Sequence, residues 1–146
     1  SQTALGVMYT YGEEGLPEDV VKAAEWFSKA AEQGNDMAQL YLGEAFARGS
    51  GVVKDEGQAA KWYAKSAEQG NAKAQYNLAQ MYENGRGGLM LSPAMAVEGY
   101  EKAAEQGDAR AKLRLGRYYA NGGGGLVRDE GKARVWQAKA AEQGNG

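Results

Sequence analysis

The chain contains no cysteine and no histidine, and only 2 prolines among its 146 residues. None of its apolar runs nears the roughly 20 residues that cross a bilayer. Without thiol or imidazole there is no disulfide framework, no thiolate nucleophile, no zinc site built from cysteine and histidine, and no Ser-His-Asp triad. Carboxylate pairs, a lysine base or an oxygen-ligand metal site stay open in principle, but each needs residues converging in a pocket. The reading therefore assigns no catalytic residue, no metal and no cofactor. Missing thiols select no compartment, since such a chain tolerates reducing and oxidising surroundings alike. No basic-then-apolar leader precedes the first repeat, so an intact signal peptide is not expected, and a leader already removed would leave no trace. Excess positive charge is lacking too: 17 Lys and Arg stand against 19 Asp and Glu, a net charge of −2. Nucleic acid and membrane insertion are not expected. What remains, 43% apolar and 25% charged, is the balance of a soluble globular domain.

Glycine is the abundant exception, at 22 residues, and it is periodic. The sequence Ala-Glu-Gln-Gly followed by Asn or Asp recurs at Ala31 to Asn35, Ala67 to Asn71, Ala104 to Asp108 and Ala141 to Asn145. A second series, Gly12, Gly49, Gly85 and Gly122, falls about midway. Each unit is thus cut into two segments ending at a residue that accepts positive φ, which reads as a helical hairpin. The unit boundaries fall at 1–34, 35–70, 71–107 and 108–144, within a single solenoid domain spanning 1–146.

In the first segments Ala38, Leu42 and Phe46, then Ala74, Leu78 and Tyr82, then Ala111, Leu115 and Tyr119 mark one helix face. Asn35, Asn71 and Asp108 suit N-caps. Gly43 and Gly116, with Gly6 and Ala79 in register, lie inside this helix. Glycine there costs about 1 kcal/mol relative to alanine unless a partner helix approaches closely. The second segments repeat Ala23, Trp26, Phe27, Ala30 and Ala31; Ala59, Trp62, Tyr63, Ser66 and Ala67; and Ala133, Trp136, Ala140 and Ala141. Asp19, Asp55 and Asp129 precede these stripes where a carboxylate suits a helix start. One such hairpin cannot bury its apolar face alone, whereas stacked hairpins share a core, which predicts an all-α solenoid.

The pattern Ala-x-x-x-Leu-Gly-x-x-Tyr-x-x-Gly, a glycine-containing loop, then Asp-x-x-Lys/Gln-Ala-x-x-Trp-Tyr/Phe-x-Lys-Ala-Ala-Glu-Gln-Gly resembles the Sel1-like repeat family, relatives of tetratricopeptide repeats. The resemblance covers nearly the whole chain. It implies a right-handed α/α superhelix whose first helices line the concave side, and an adaptor role in bacterial signalling, envelope processes or host interaction. The resemblance favours the bacterial periplasm or another exported location without excluding the cytoplasm. Some cysteine-rich relatives are tied to β-lactam chemistry, but their disulfides cannot form here. Ser1 and Gln2 align with the middle of a first helix and Asn145 with the cap of a fifth unit, so the chain reads as a piece of a longer array.

A repeat spends its shared positions on stacking, so a partner is sought where the units differ. On the first helices that face runs through Ala4, Val7 and Tyr11; Met37, Tyr41, Glu44 and Arg48; Lys73, Asn77, Gln80 and Asn84; and Arg110, Arg114, Arg117 and Asn121. It passes from apolar and aromatic to basic and suits a protein or peptide segment with an apolar end and an acidic end. The competing reading has the arginines as a solvated helix face and Met37 and Tyr41 packed on the adjacent unit. Gly99 stands where other units have Trp26, Trp62 and Trp136. With Leu89, Met90, Leu91 and Met95 nearby, either these side chains fold over the gap or a small apolar pocket is left for a partner. Charge is polarised, −4 over residues 1–34 and +4 over 108–146, which would favour weak, salt-sensitive head-to-tail self-association. The run Gly122 to Gly125 lacks Gly-Lys-Ser/Thr and reads as a mobile loop between helices, not a phosphate cradle. The expected function is a non-enzymatic interaction scaffold or adaptor. An inhibitor or immunity-type protein, plugging an enzyme with a loop such as Gly85 to Leu91, is the alternative, and an enzyme of cell-wall or β-lactam chemistry a distant third.

Overall fold

The computed structural model describes residues 17–144, and within them the chain is helical. Its elements are α1 (Pro17–Glu32), α2 (Asp36–Arg48), α3 (Glu56–Glu68), α4 (Ala72–Asn84), α5 (Pro93–Glu105), α6 (Ala109–Asn121) and α7 (Glu130–Gly144). The sole extended pairing among the described residues is an isolated bridge between Gly123 and Leu126. The chain divides into two compact units, Ser1–Asn71 and Ala72–Gly146.

In the first unit, Ala23, Phe27, Ala30, Ala31, Ala38 and Leu42 form the buried core, with Tyr41, Phe46 and Trp62 packed against it. Truncating a leucine such as Leu42, 1% exposed, removes about 2–5 kcal/mol of stability. The helix starts are set by side chains that satisfy otherwise orphaned amides. Asn35 accepts from the Ala38 amide at 2.9 Å and Asp55 from that of Gln58 at 3.1 Å. Helix α2 stops at Gly49, whose φ of 71° and ψ of 37° are left-handed, as the glycine series requires. Gly43 sits where α3 presses on α2, and a β-carbon there would lie 2.7 Å from the Tyr63 ring.

The glutamine of the recurring Ala-Glu-Gln-Gly has a structural use. Gln69 donates through Nε2 to the Gly34 carbonyl and to Gln39 Oε1, both at 2.8 Å, tying the end of α3 back to the α1–α2 turn. Buried Ser66 adds a bond from its hydroxyl to the Asp36 carbonyl at 2.7 Å.

The second unit repeats these devices. Its core is Tyr76, Ala79, Ala96, Val97, Tyr100, Ala103, Ala104, Ala111 and Leu115. Gln106 donates to Gln75 Oε1 at 2.8 Å, and Gln143 bonds the Gly107 carbonyl and Lys112. Asp108 caps the Ala111 amide and Asp129 that of Lys132, each at 3.0 Å. Ser92 caps α5 through the Met95 amide at 3.2 Å, ahead of Pro93.

Two expectations are corrected here. Gly99 leaves no apolar pocket, because α4 closes on it: a β-carbon at Gly99 would meet the Ala79 β-carbon at 2.8 Å and the Gln75 carbonyl at 3.1 Å. Met90 and Leu91 do not fold over the position but stay 83% and 63% exposed, with Leu89 half-buried. The run Gly122 to Gly125 lies between α6 and α7 as a turn with reciprocal Gly123–Leu126 backbone bonds of 3.2 and 2.9 Å, and Gly124 is pressed against Val97 and Pro93.

Candidate functional site

The residues singled out as a binding face occupy the first helices α2, α4 and α6, except Tyr11, which with Ala4 and Val7 lies outside the described residues. In the first unit, Tyr41 is half-buried, its ring 5.1 Å from that of Phe27. Met37 is half-buried, its Sδ accepting from the Asn71 side-chain amide at 3.2 Å. Tyr41, Glu44 and Arg48 line a cavity of about 40 Å³ with Val20, Ala23 and Phe27. The Tyr63 phenol is pushed well above its usual range, by burial first and then by the Glu44 charge, with Arg48 opposing. The volume is small, so the aromatic end of the face is largely occupied by its own packing.

In the second unit, Lys73 is exposed and Asn77 half-buried, while Gln80 donates to the Tyr76 hydroxyl at 3.2 Å and Asn84 to the Gln80 carbonyl at 2.9 Å. The basic ladder of α6 is not uniform. The Arg110 guanidinium lies 4.2 Å from the centre of the Tyr76 ring and pairs with Asp108 at 3.3 Å. Arg114 pairs with Glu83 at 3.0 Å. Arg117 and Asn121 are exposed and make no ion pair or hydrogen bond within the described residues.

Glu83 is a residue that sequence reasoning missed. Its Oε1 accepts from the Tyr100 hydroxyl at 3.1 Å and from Arg114, and its Oε2 from the Tyr118 hydroxyl at 2.7 Å. Charge-assisted bonds of this kind are the stronger ones. Burial foremost, and the Glu83 carboxylate after it, raise the Tyr100 and Tyr118 phenols far above their ordinary range. Around Arg114, burial works to lower the pKa, yet the neighbouring Tyr76, Tyr100 and Glu83 raise it on balance. A signal existed in the repeat register, since Glu83 occupies the position of Ala47 and Ala120. Beside this cluster opens a cavity of about 310 Å³, lined by Glu83, Arg114, Arg117, Tyr118, Asn121 and Gly122. No group of acidic residues among the described positions is arranged to hold a metal ion, and no described helix is long and apolar enough to cross a membrane.

Helical hairpins, glycine-mediated crossings and variable first-helix faces define an all-α repeat protein. The sequence matches the Sel1 repeat over residues 1–35, 36–71, 72–108 and 109–145, and the chain belongs to the Sel1 repeat family. Proteins of this family generally mediate protein–protein interaction. The crystal structure of a protective antigen of uropathogenic Escherichia coli strains, displaying an SLR fold, is similar with a TM-score of 0.89 and 40% identity. That similarity covers 99% of this chain and 30% of the antigen. A Sel1 repeat protein from Oxalobacter formigenes is similar with a TM-score of 0.88 and 31% identity, over 98% of this chain and 57% of its own. Among curated proteins, the ERAD-associated E3 ubiquitin-protein ligase component of Arabidopsis thaliana is 43% identical over 47 residues, 32% of this chain and 7% of the plant protein. The chain thus spans less than two thirds of the length of each of these relatives.

Proposed function

We propose that the chain is a non-enzymatic interaction module that holds a protein or peptide segment against the variable faces of its first helices. One observation carries the reading: in each unit a cavity has residues that differ between repeats in its lining, Tyr41, Glu44 and Arg48 in one and Arg117 and Asn121 in the other. Residues shared by the repeats are meanwhile consumed by core, caps and glutamine ties. The proposed face changes character along the chain, from a packed aromatic pair to free cationic and amide groups, so its discriminating contacts are polar and concentrated on α6. A repeat scaffold presents such a surface without needing any reacting group.

The test is capture of partners from a lysate of the encoding organism, with wild-type bait compared against Arg117→Glu with Asn121→Glu. A matched reversal on the second helices, Lys61→Glu with Lys102→Glu, is the control. The first pair should lose the captured protein and the control should keep it. Equal capture by all baits would refute the assignment of this face, and turnover of any substrate by the purified chain would refute the non-enzymatic reading.

A further inference from the structure

The 310 Å³ cavity of the second unit has a chemistry more specific than a basic patch. Its lining contains two guanidinium groups and one carboxylate, but these are not equally available. Arg114 is neutralised by Glu83 at 3.0 Å, and the Tyr118 hydroxyl is spent on the same carboxylate at 2.7 Å. Among the described residues, Arg117 and Asn121, one helical turn apart on α6, keep their donors unspent. What the cleft offers an incoming group is therefore one uncompensated positive charge beside one amide donor, on a wall fixed by the Glu83 cluster. Its volume is at the lower end of ligand-sized pockets, enough for a side chain with adjoining backbone. The surrounding sequence, +4 over residues 108–146, favours an acidic visitor at longer range.

We propose that this cleft receives a single carboxylate of an acidic peptide segment, held by the Arg117 guanidinium and the Asn121 side-chain amide. The inference rests on the reading of the chain as an interaction module and names what that module recognises at its basic end. Glu83 is a positioning residue: by holding Arg114 and Tyr118 it shapes the wall and leaves Arg117 as the binding cation. The C-terminal end of α6, closed by Gly122, opposes an anion, but at an exposed site this weakens binding by about two- to fivefold, whereas one charge-assisted hydrogen bond strengthens it by about tenfold or more.

The experiment titrates the isotopically labelled full chain with three short N-acetylated peptides and follows the Arg117 Nε and Asn121 Nδ2 resonances. One peptide carries a glutamate and an amidated C-terminus, the second a glutamine and a free C-terminal carboxylate, the third a glutamine and an amide. Saturable shifts at both resonances with either carboxylate-bearing peptide, and none with the third, are expected. The tighter of the two assigns the source as side chain or chain end. Arg117→Gln and Asn121→Ala should each weaken binding about tenfold, with Arg134→Gln on α7 as a silent control. Equal shifts at Arg128 and Arg134, binding of the third peptide, or equal competition by inorganic phosphate would overturn the proposal. So would capture of a protein partner that survives Arg117→Gln and is lost with Tyr41→Ala, although the module itself would then stand.

Discussion

The hairpins α2–α3 and α4–α5 meet the same packing requirement from opposite sides. Where two helices cross closely, one backbone must go without a side chain. In α2–α3 the first helix supplies that gap with Gly43, against the Tyr63 ring and the Ala59 carbonyl, and the second helix keeps Trp62. In α4–α5 the first helix carries Ala79, and the second yields with Gly99, whose absent side chain admits the Ala79 methyl. The α6–α7 hairpin returns to the first solution, with Gly116 against Ala133 and Trp136. The position that lacks a tryptophan is thus filled by close approach of the first helix and is not a lost volume. A repeat position seen alone misleads, because the conserved quantity is the space shared by two positions.

The strongest way to break the comparison is to force one solution onto the other. Gly99→Trp should destabilise the chain by about 3 kcal/mol, the upper range for overpacking a helix crossing. Adding Ala79→Gly should recover more than half of that loss despite the lower helix propensity of glycine. Thermal or urea unfolding of the two single variants and the double measures the coupling, and additive effects would deny the exchange. Gly43→Ala should lose about 1 kcal/mol net, since the buried Tyr63 ring must move while alanine favours the helix.

Next in size is the polar cluster built around Glu83 in the second unit. Glu83→Ala strands the Tyr100 hydroxyl and Arg114 together, and should destabilise by about 2 kcal/mol, as for hydrogen bonds to a charged group. The same carboxylate placed at the equivalent position of α6, Ala120→Glu, should not gain stability in return. Unfolding midpoints at constant slope are the readout.

The tyrosines give a weaker, pH-dependent contrast. In the unfolded chain they ionise near pH 10, while burial and the neighbouring carboxylates hold Tyr63, Tyr100 and Tyr118 protonated beyond that. Above this pH the unfolded state binds fewer protons than the folded one, so unfolding free energy falls as pH rises. Stability should be flat up to about pH 10 and decline above it. Tyrosinate absorbance should appear together with loss of helical circular dichroism, and Tyr100→Phe should blunt the decline more than Tyr118→Phe, which is less buried.

Much of the fold was legible because it depends on local chemistry. Asn35, Asp55, Asp108 and Asp129 are caps by residue type and place, and the left-handed turns at Gly34, Gly70 and Gly107 follow from periodic glycine. The alanine and aromatic stripes name most of the core. What stayed hidden depends on partners far apart in sequence. Gln69 and Gln106 look like polar ends of a helix until a second glutamine about thirty residues earlier is seen to face each of them. Glu83 drew no reading from the sequence, and without it the Arg110–Arg114–Arg117 ladder carried no sign that Arg114 is engaged. Pairing is a property of register between hairpins, and the repeat pattern reports that register only where equivalent positions differ. Arg117 and Asn121 were named from the start, and what the structure adds is which of their neighbours are already engaged.

The smallest expected effect isolates the hydrogen bond that distinguishes the ends of α3 and α5. Ser66 and Ala103 are equivalent, both wholly buried, and the serine hydroxyl reaches the Asp36 carbonyl at 2.7 Å where Ala103 can reach nothing. The Asp36 carbonyl lies in the first turn of α2 and can also accept an intrahelical bond, so removing the hydroxyl does not leave it an orphan. Alanine also leaves the site without a donor that needs a partner, and its helix propensity is higher. Ser66→Ala should therefore destabilise by only about 0.5 kcal/mol, against about 1 kcal/mol for an ordinary hydrogen bond. Ala103→Ser, which buries a hydroxyl beside a helix that did not evolve to receive it, should lose about 1 kcal/mol or more. Urea unfolding of the two variants decides whether the bond or the volume matters: equal and opposite changes would make the hydroxyl the whole difference between the hairpin ends, whereas two losses of unequal size would place the difference in how each end is packed.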